Sequence, residues 1–272
     1  MASTVRIAAM SDLHYGRSGT APLLPFLGRA AEQADVLVLC GDLTDHGLPE
    51  EARALAKELS GLQVPMVGVL GNHDYESDRV DELKQIFADS RVRILDGDAV
   101  ELRGVGFAGI KGFCGGFGRR ALGPWGEHAI KAFVREALDE ALRLETALSK
   151  LKREPRVAVL HYSPVVGTVE GEPLEIYPFV GSSRLEDPIN RFPVSLVVHG
   201  HAHRGQLEGA TKSNVPVYNV SMPLLLRSYP DRPAFRVFDV PMSDVAAVDG
   251  APAPATPSLV SRGRRATDSL AS

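Results

Sequence analysis

The stretch "DVLVLCGDLTD", residues 35 to 45, decides the fold. Val36 to Cys40 form an apolar run too short for a helix, bounded by Asp35 on one side and by Gly41 and Asp42 on the other, which reads as a buried strand. Working outward, "LLPFLGRAAEQA" before it and "PEEARALAKELSGL" after it carry helical spacing. The second opens on Pro49 with acids in its first turn and ends near Gly61, as helices do. "VRIAAMSD" and "PMVGVLGN" supply further strands on either side, and "SDRVDELKQIFAD" a third helix with Ser77 as candidate N-cap. Strand, helix, strand, helix, strand implies a parallel α/β arrangement with helices covering the faces.

Beyond residue 90 short strands follow in "VRIL", "AVEL" and "GVGFAGI". A long helix is expected from His128 to Leu151, then strands in "RVAVLHY", "VSLVVHG", "VPVYNVS" and "AFRVFDV". From residue 242 the chain turns rich in Ala, Pro and Ser without periodicity, the composition of a disordered tail over 242–272 behind a single folded domain over 1–241. "GVGFAG", residues 104 to 109, matches G-x-G-x-x-G but itself reads as a strand with no helix after it, so it is not a dinucleotide site.

The formal charge of −4 comes with no extended Lys/Arg stripe, which argues against gripping a nucleic-acid polymer. No apolar segment approaches the roughly 20 residues needed to span a bilayer, and a cytoplasmic protein without a membrane anchor is expected. Cys40 and Cys114 form no paired motif. Cys40 reads as a strand residue, Cys114 as a more accessible thiol, and any metal would be held by imidazole and oxygen. No heptad seam or exposed apolar face indicates an oligomeric state.

The residues that follow each strand carry the chemistry. They are Asp12 and His14 in "SDLH", Asp42 in "GDLTD", Asn72, His73 and Asp74 in "GNHD", His161 in "HYSP", and His199, His201 and His203 in "HGHAH". Six of the eight histidines fall in this set. In open α/β sheets the carboxyl ends of strands line the ligand crevice, so these groups can converge. Each Asp alone could be a cap or turn former. Together, so many buried carboxylates and imidazoles need a compensating charge, and two divalent cations meet that requirement. Two such ions activate a water and stabilise in-line displacement at phosphorus.

These segments, in this order, resemble the five motifs of the calcineurin-like metallophosphoesterases, from Asp12 to His203. The resemblance implies a β-sandwich of two mixed sheets flanked by helices, and an enzyme that hydrolyses phosphoric esters. It implies that Asp12, His14 and His203 bind one metal, that Asn72, His161 and His201 bind a second, and that Asp42 bridges them. The metals would be Mn or an Fe/Mn pair, with Zn or Ni also compatible with the ligands. His73 would stand beside them as proton donor to the leaving group or as phosphate stabiliser. Asp74 and Asp45 would orient ligating or catalytic imidazoles. His199 precedes the glycine of the G-H-x-H pair and reads as a strand or supporting residue, while His46 and His128 read as surface residues.

Two long connections, residues 112–126 and 167–187, are expected to select the substrate. In the second, Glu170, Glu172 and Glu175 would repel a polyanion, and Arg184 is the candidate for a phosphate oxygen. The expected substrate is a small phosphoester, a diester ahead of a nucleotide or sugar monoester. A non-catalytic metal-binding scaffold is the competing class, and it would be betrayed by a missing ligand; none is missing.

Overall fold

A computed structural model describes residues 4–16 and 23–242. Two sheets pack face to face. One orders its strands β11 (Arg236–Pro241), β1 (Thr4–Met10), β2 (Val36–Cys40), β3 (Met66–Val69) and β4 (Val92–Ile94). The other runs β5 (Asp98–Leu102), β6 (Val105–Gly109), β7 (Arg156–Val159), β8 (Leu196–His199), β10 (Pro216–Asn219) and β9 (Glu208–Ala210). β1 to β4 are parallel and β11 joins β1 antiparallel. In the second sheet β6, β7, β8 and β10 are parallel, with antiparallel β5 and β9 at the edges. Both sheets are therefore mixed, as the resemblance implied.

The opening stretch shows why β2 lies at the centre. Successive side chains of a strand point to opposite faces. Val36, Val38 and Cys40 pack between the sheets against Phe107, Val157, Val159 and Val198. Leu37 and Leu39 point the other way, onto Leu27, Leu55 and Leu59 of α1 (Leu24–Gln33) and α2 (Pro49–Ser60) and onto Leu83 and Phe87 of α3 (Val80–Asp89). Burying each such Leu or Phe stabilises the fold by ~2 kcal/mol. The outer face of the second sheet is covered by α4 (His128–Lys150) and α6 (Glu186–Arg191), through Leu144, Leu148 and Ile189 packed on Ala158 and Val197. Two short helices, α5 (Tyr177–Val180) and α7 (Met222–Ser228), complete the chain.

Several local expectations are corrected. Ser77 is not the N-cap of α3, which begins at Val80 after Arg79; the Ser77 hydroxyl donates instead to the Gly47 carbonyl. Cys114 is buried, its thiol donating to the Phe179 carbonyl at 3.3 Å. β9 escaped the sequence reading because it is a short edge strand, "EGA", with no alternation to detect. The segment 104–109 is strand β6, as its rejection as a dinucleotide motif requires. The tail expected from residue 242 lies outside the described residues, apart from Met242. Among the described residues, no helix is long and apolar enough to cross a membrane.

Candidate metal centre

The candidate residues all follow carboxyl ends of parallel strands. Ser11, Asp12 and His14 follow β1, Asp42 follows β2, Asn72 and His73 follow β3, His161 follows β7, and Gly200, His201 and His203 follow β8. Since β1 to β3 belong to one sheet and β7 and β8 to the other, the site sits where the two parallel arrays end together. Ser11 stitches them, donating its amide to the Val220 carbonyl and its hydroxyl to the Cys40 carbonyl.

The backbone is bent to aim these side chains. Asp12, His14, Asp42 and His201 all adopt positive φ, at 60°, 43°, 48° and 67°. Left-handed conformations in non-glycine residues cost ~1–3 kcal/mol each and persist where the surroundings enforce them, commonly at functional sites. Close approach is enforced by glycine at two points. A Cβ on Gly71 would collide with the Asp42 carboxylate, and one on Gly200 would collide with Ser11 and Asp12.

Three donor groups result, one of them made by His14, Asp45 and His73 at the rim, beside the two that Asp42 faces. Asp12, His14 and His203 present ligand atoms within 4.8 Å of one another, and so do Asp42, His161 and His201. Asp42 faces both groups, with Oδ1 3.3 Å from His161 Nε2 and Oδ2 3.9 Å from His14 Nε2. Asn72 Oδ1 joins the second at 3.0 Å from His161 Nε2. In the first, His203 Nε2 lies 3.0 Å from Asp12 Oδ1.

The hydrogen bonds fix which imidazole nitrogens are available. His161 Nδ1 lies 2.9 Å from the Cys40 carbonyl, an acceptor only, so Nδ1 carries the proton and Nε2 faces two oxygens. His201 Nε2 is likewise 3.2 Å from the Phe179 carbonyl, leaving Nδ1 its lone pair. Such outer partners are how ligating histidines are held. His14 is buried, and neither ring nitrogen makes a hydrogen bond, although Asp45 Oδ1 lies 3.3 Å from Nδ1 and Asp42 Oδ2 lies 3.9 Å from Nε2. A buried polar group without a hydrogen bond calls for an explanation, and a cation between His14, Asp12 and His203 is one. Lone pairs aimed inward with carboxylates among them fit divalent metal ions of the imidazole- and oxygen-binding kind.

Electrostatics point the same way. Burial alone raises the Asp12 carboxyl, but the hydrogen bond from His203 and the surrounding imidazoles outweigh it and hold it well below the usual range. Burial depresses His201 to about 4 and adjacent His161 adds to this, so the ring is neutral. For His161 burial is overcome by the Asp42 carboxylate, and its pKa rises to about 9. The site therefore draws positive charge to the position between His161, Asp42 and Asn72.

His73 stands at the rim, its side chain 35% exposed. Its amide donates to Asp42 Oδ1 at 2.9 Å, and its Nδ1 lies 2.6 Å from the Asp45 carbonyl, which leaves Nε2 free. The Asp45 carboxylate sits 3.3 Å from His14 Nδ1 and 3.3 Å from His46 Nε2. Asp74 does something different from orienting an imidazole. Fully buried, it accepts the amides of Leu43, Thr44 and Gly71 and the Thr44 hydroxyl, tying the two glycine loops together. His199 is buried at the end of β8, between the Gly200 carbonyl and the Thr168 hydroxyl, each at 2.8 Å.

A cavity of about 520 Å³ opens over the second group, lined by Asn72, His201 and His203 with Tyr162, Phe179 and Arg204 among others. Arg184 is not in its lining; its guanidinium donates to the Leu122 carbonyl at 2.7 Å. Arg204 lines it instead. Sequence reasoning missed this arginine, although it follows "GHAH" directly. Glu172 of the 167–187 connection lines the same cavity and accepts the Arg204 amide at 2.6 Å.

With this geometry in view, comparisons with known proteins are specific. The profile of the calcineurin-like phosphoesterases matches residues 5–205. A 3',5'-cyclic-nucleotide phosphodiesterase of Nostoc sp. is 26% identical over 219 residues, covering 74% of this chain and 72% of that one. Among solved structures, the phosphopantetheinyl hydrolase of Mycobacterium tuberculosis superposes with a TM-score of 0.62 at 17% identity, over 93% of this chain and 100% of the other. A protein of Thermus thermophilus gives 0.56 at 17% identity, over 88% and 99%. Fold, motif order and sequence profile agree, and the chain belongs to the calcineurin-like phosphoesterase family.

Proposed function

We propose that the protein hydrolyses a small phosphodiester at a centre of two divalent metal ions. The observation that carries this reading is Asp42, whose two carboxylate oxygens face two of the donor groups. Asp12, His14 and His203 would hold one ion, Asn72, His161 and His201 the other, with Asp42 shared. When bound, the ions supply an activated water and neutralise the charge that develops on the phosphoryl oxygens. Manganese, alone or paired with iron, suits the donors, and zinc or nickel is also compatible.

The chain's own residues do the rest. The Asp45 carbonyl beside His73 Nδ1 fixes the ring so that Nε2 meets the ester oxygen that departs. Proton donation there assists the leaving alkoxide, a contribution of ~10²- to 10⁴-fold. The Phe179 and Cys40 carbonyls keep His201 and His161 in their ligating tautomers. A diester is favoured by the relative's activity, since the Nostoc protein is named for cleaving a cyclic diester. The 520 Å³ cavity is of a size that holds a small ester. Cys40 and Cys114 are free, buried thiols, in keeping with a cytoplasmic site of action.

The test compares bis(p-nitrophenyl) phosphate with p-nitrophenyl phosphate, using protein stripped of metal and reloaded with Mn²⁺. Metal-dependent turnover favouring the diester is expected. Preference for the monoester would make the protein a phosphomonoesterase, and silence on both with two ions bound would point to the scaffold.

A further inference from the structure

The cavity over the candidate metal centre has one wall that phosphate chemistry does not need. Ile176 and Phe179 line it together with Tyr162, and Leu174 stands beside them in sequence. Leu174 is 75% and Phe179 56% exposed. Exposed apolar side chains that gather at a binding cleft mark a contact surface. Here they sit on a segment that is held in place. The Phe179 carbonyl lies 3.2 Å from His201 Nε2 and accepts the Cys114 thiol, while the ring packs edge-on against Phe133 of α4, with centroids 6.4 Å apart. A fixed aromatic face beside a ligand histidine acts on whatever substituent projects from the phosphorus.

We propose that Ile176 and Phe179 form a specificity shelf that selects phosphoesters carrying an aromatic or similarly flat apolar substituent, with Arg204 of the same cavity holding the anionic part. This rests on the phosphoesterase reading and adds to it the chemistry of the substrate. Charge complementarity supports the orientation. Arg204 lines the same cavity beside Glu172, and its amide donates to the Glu172 carboxylate, which fixes where its side chain starts and leaves its guanidinium as the cation of the lining. A substituent lacking an apolar face would leave the shelf in water, and aromatic contact would be forfeited.

The experiment has two arms. Calorimetry on Mn²⁺-loaded protein compares phenyl phosphate with methyl phosphate, in the wild type and in Phe179→Ala and Ile176→Ala. Kinetics compare bis(p-nitrophenyl) phosphate with methyl p-nitrophenyl phosphate, which share a leaving group. The aryl ligand is expected to bind at least about tenfold more tightly than the methyl one, and each variant to reduce that ratio severalfold. Taking ratios cancels any change at the metal centre. Equal affinities in the wild type, no binding of either ligand, or a preference undiminished in both variants would overturn the proposal. So would a dimer that dissociates in Phe179→Ala while the preference is kept, because the apolar surface would then belong to a second copy. Aryl preference in binding without hydrolysis of any ester would keep the shelf and reject the phosphoesterase reading.

Discussion

Asp42 and His161 meet across the two sheets, with Asp42 Oδ1 3.3 Å from His161 Nε2. One follows β2 and the other β7, so the contact exists only when the parallel ends of both sheets are brought together. The same carboxylate turns its second oxygen toward His14. Asp42→Asn removes the shared charge and is expected to release at least one of two bound ions. Losing several kcal/mol of charge stabilisation corresponds to a fall in diester turnover on the order of 10³-fold or more. Elemental analysis and kcat/KM on the same sample check both.

His73→Ala separates chemistry from metal binding. His73 stands outside the groups Asp12–His14–His203 and Asp42–His161–His201, although its ring belongs to a third donor group with His14 and Asp45. The variant is expected to keep two ions while turnover falls by ~10²- to 10⁴-fold. Loss of metal in parallel with activity would instead make His73 a ligand.

Asp74→Ala addresses the loops that carry Asp42 and Asn72. It strands three backbone amides and a hydroxyl in a buried position, each unpaired donor costing ~1–3 kcal/mol. A loss of at least about 3 kcal/mol is expected, seen as a fall in Tm of roughly 10 °C. A change below about 1 kcal/mol would show that water satisfies these donors instead.

The metal-free protein should lose stability in alkali because of His161. Its folded pKa, about 9, lies above the ordinary 6.5, so the folded state binds the proton more tightly than the unfolded one. The stabilisation is fully present below pH 6.5 and is lost as the pH rises to about 9. Bound metal replaces that proton, so the loaded protein should show a much smaller decline. Thermal melts between pH 6 and 9.5, with and without Mn²⁺, check this.

Much of the candidate site was legible because its proposed ligands are side chains placed directly after apolar strand runs. "DVLVLCGD" announces both β2 and Asp42. What holds these candidate ligands was less legible. His201, His161 and His73 each rest against a backbone carbonyl, of Phe179, Cys40 and Asp45, and carbonyls have no sequence signature. Asp74 reads like its neighbours in "GNHD" but is turned inward onto amides. Arg184 and Arg204 look alike in sequence, and only the packing of the 167–187 connection decides which of them reaches the cavity.

The most direct measurement is a Mn²⁺ titration of metal-free protein, following bound metal and bis(p-nitrophenyl) phosphate hydrolysis together. Two equivalents should bind, with hydrolysis reaching its plateau as the second site fills. Full activity at a single equivalent, or two bound ions with no hydrolysis, would contradict a two-metal phosphodiesterase centred on Asp42.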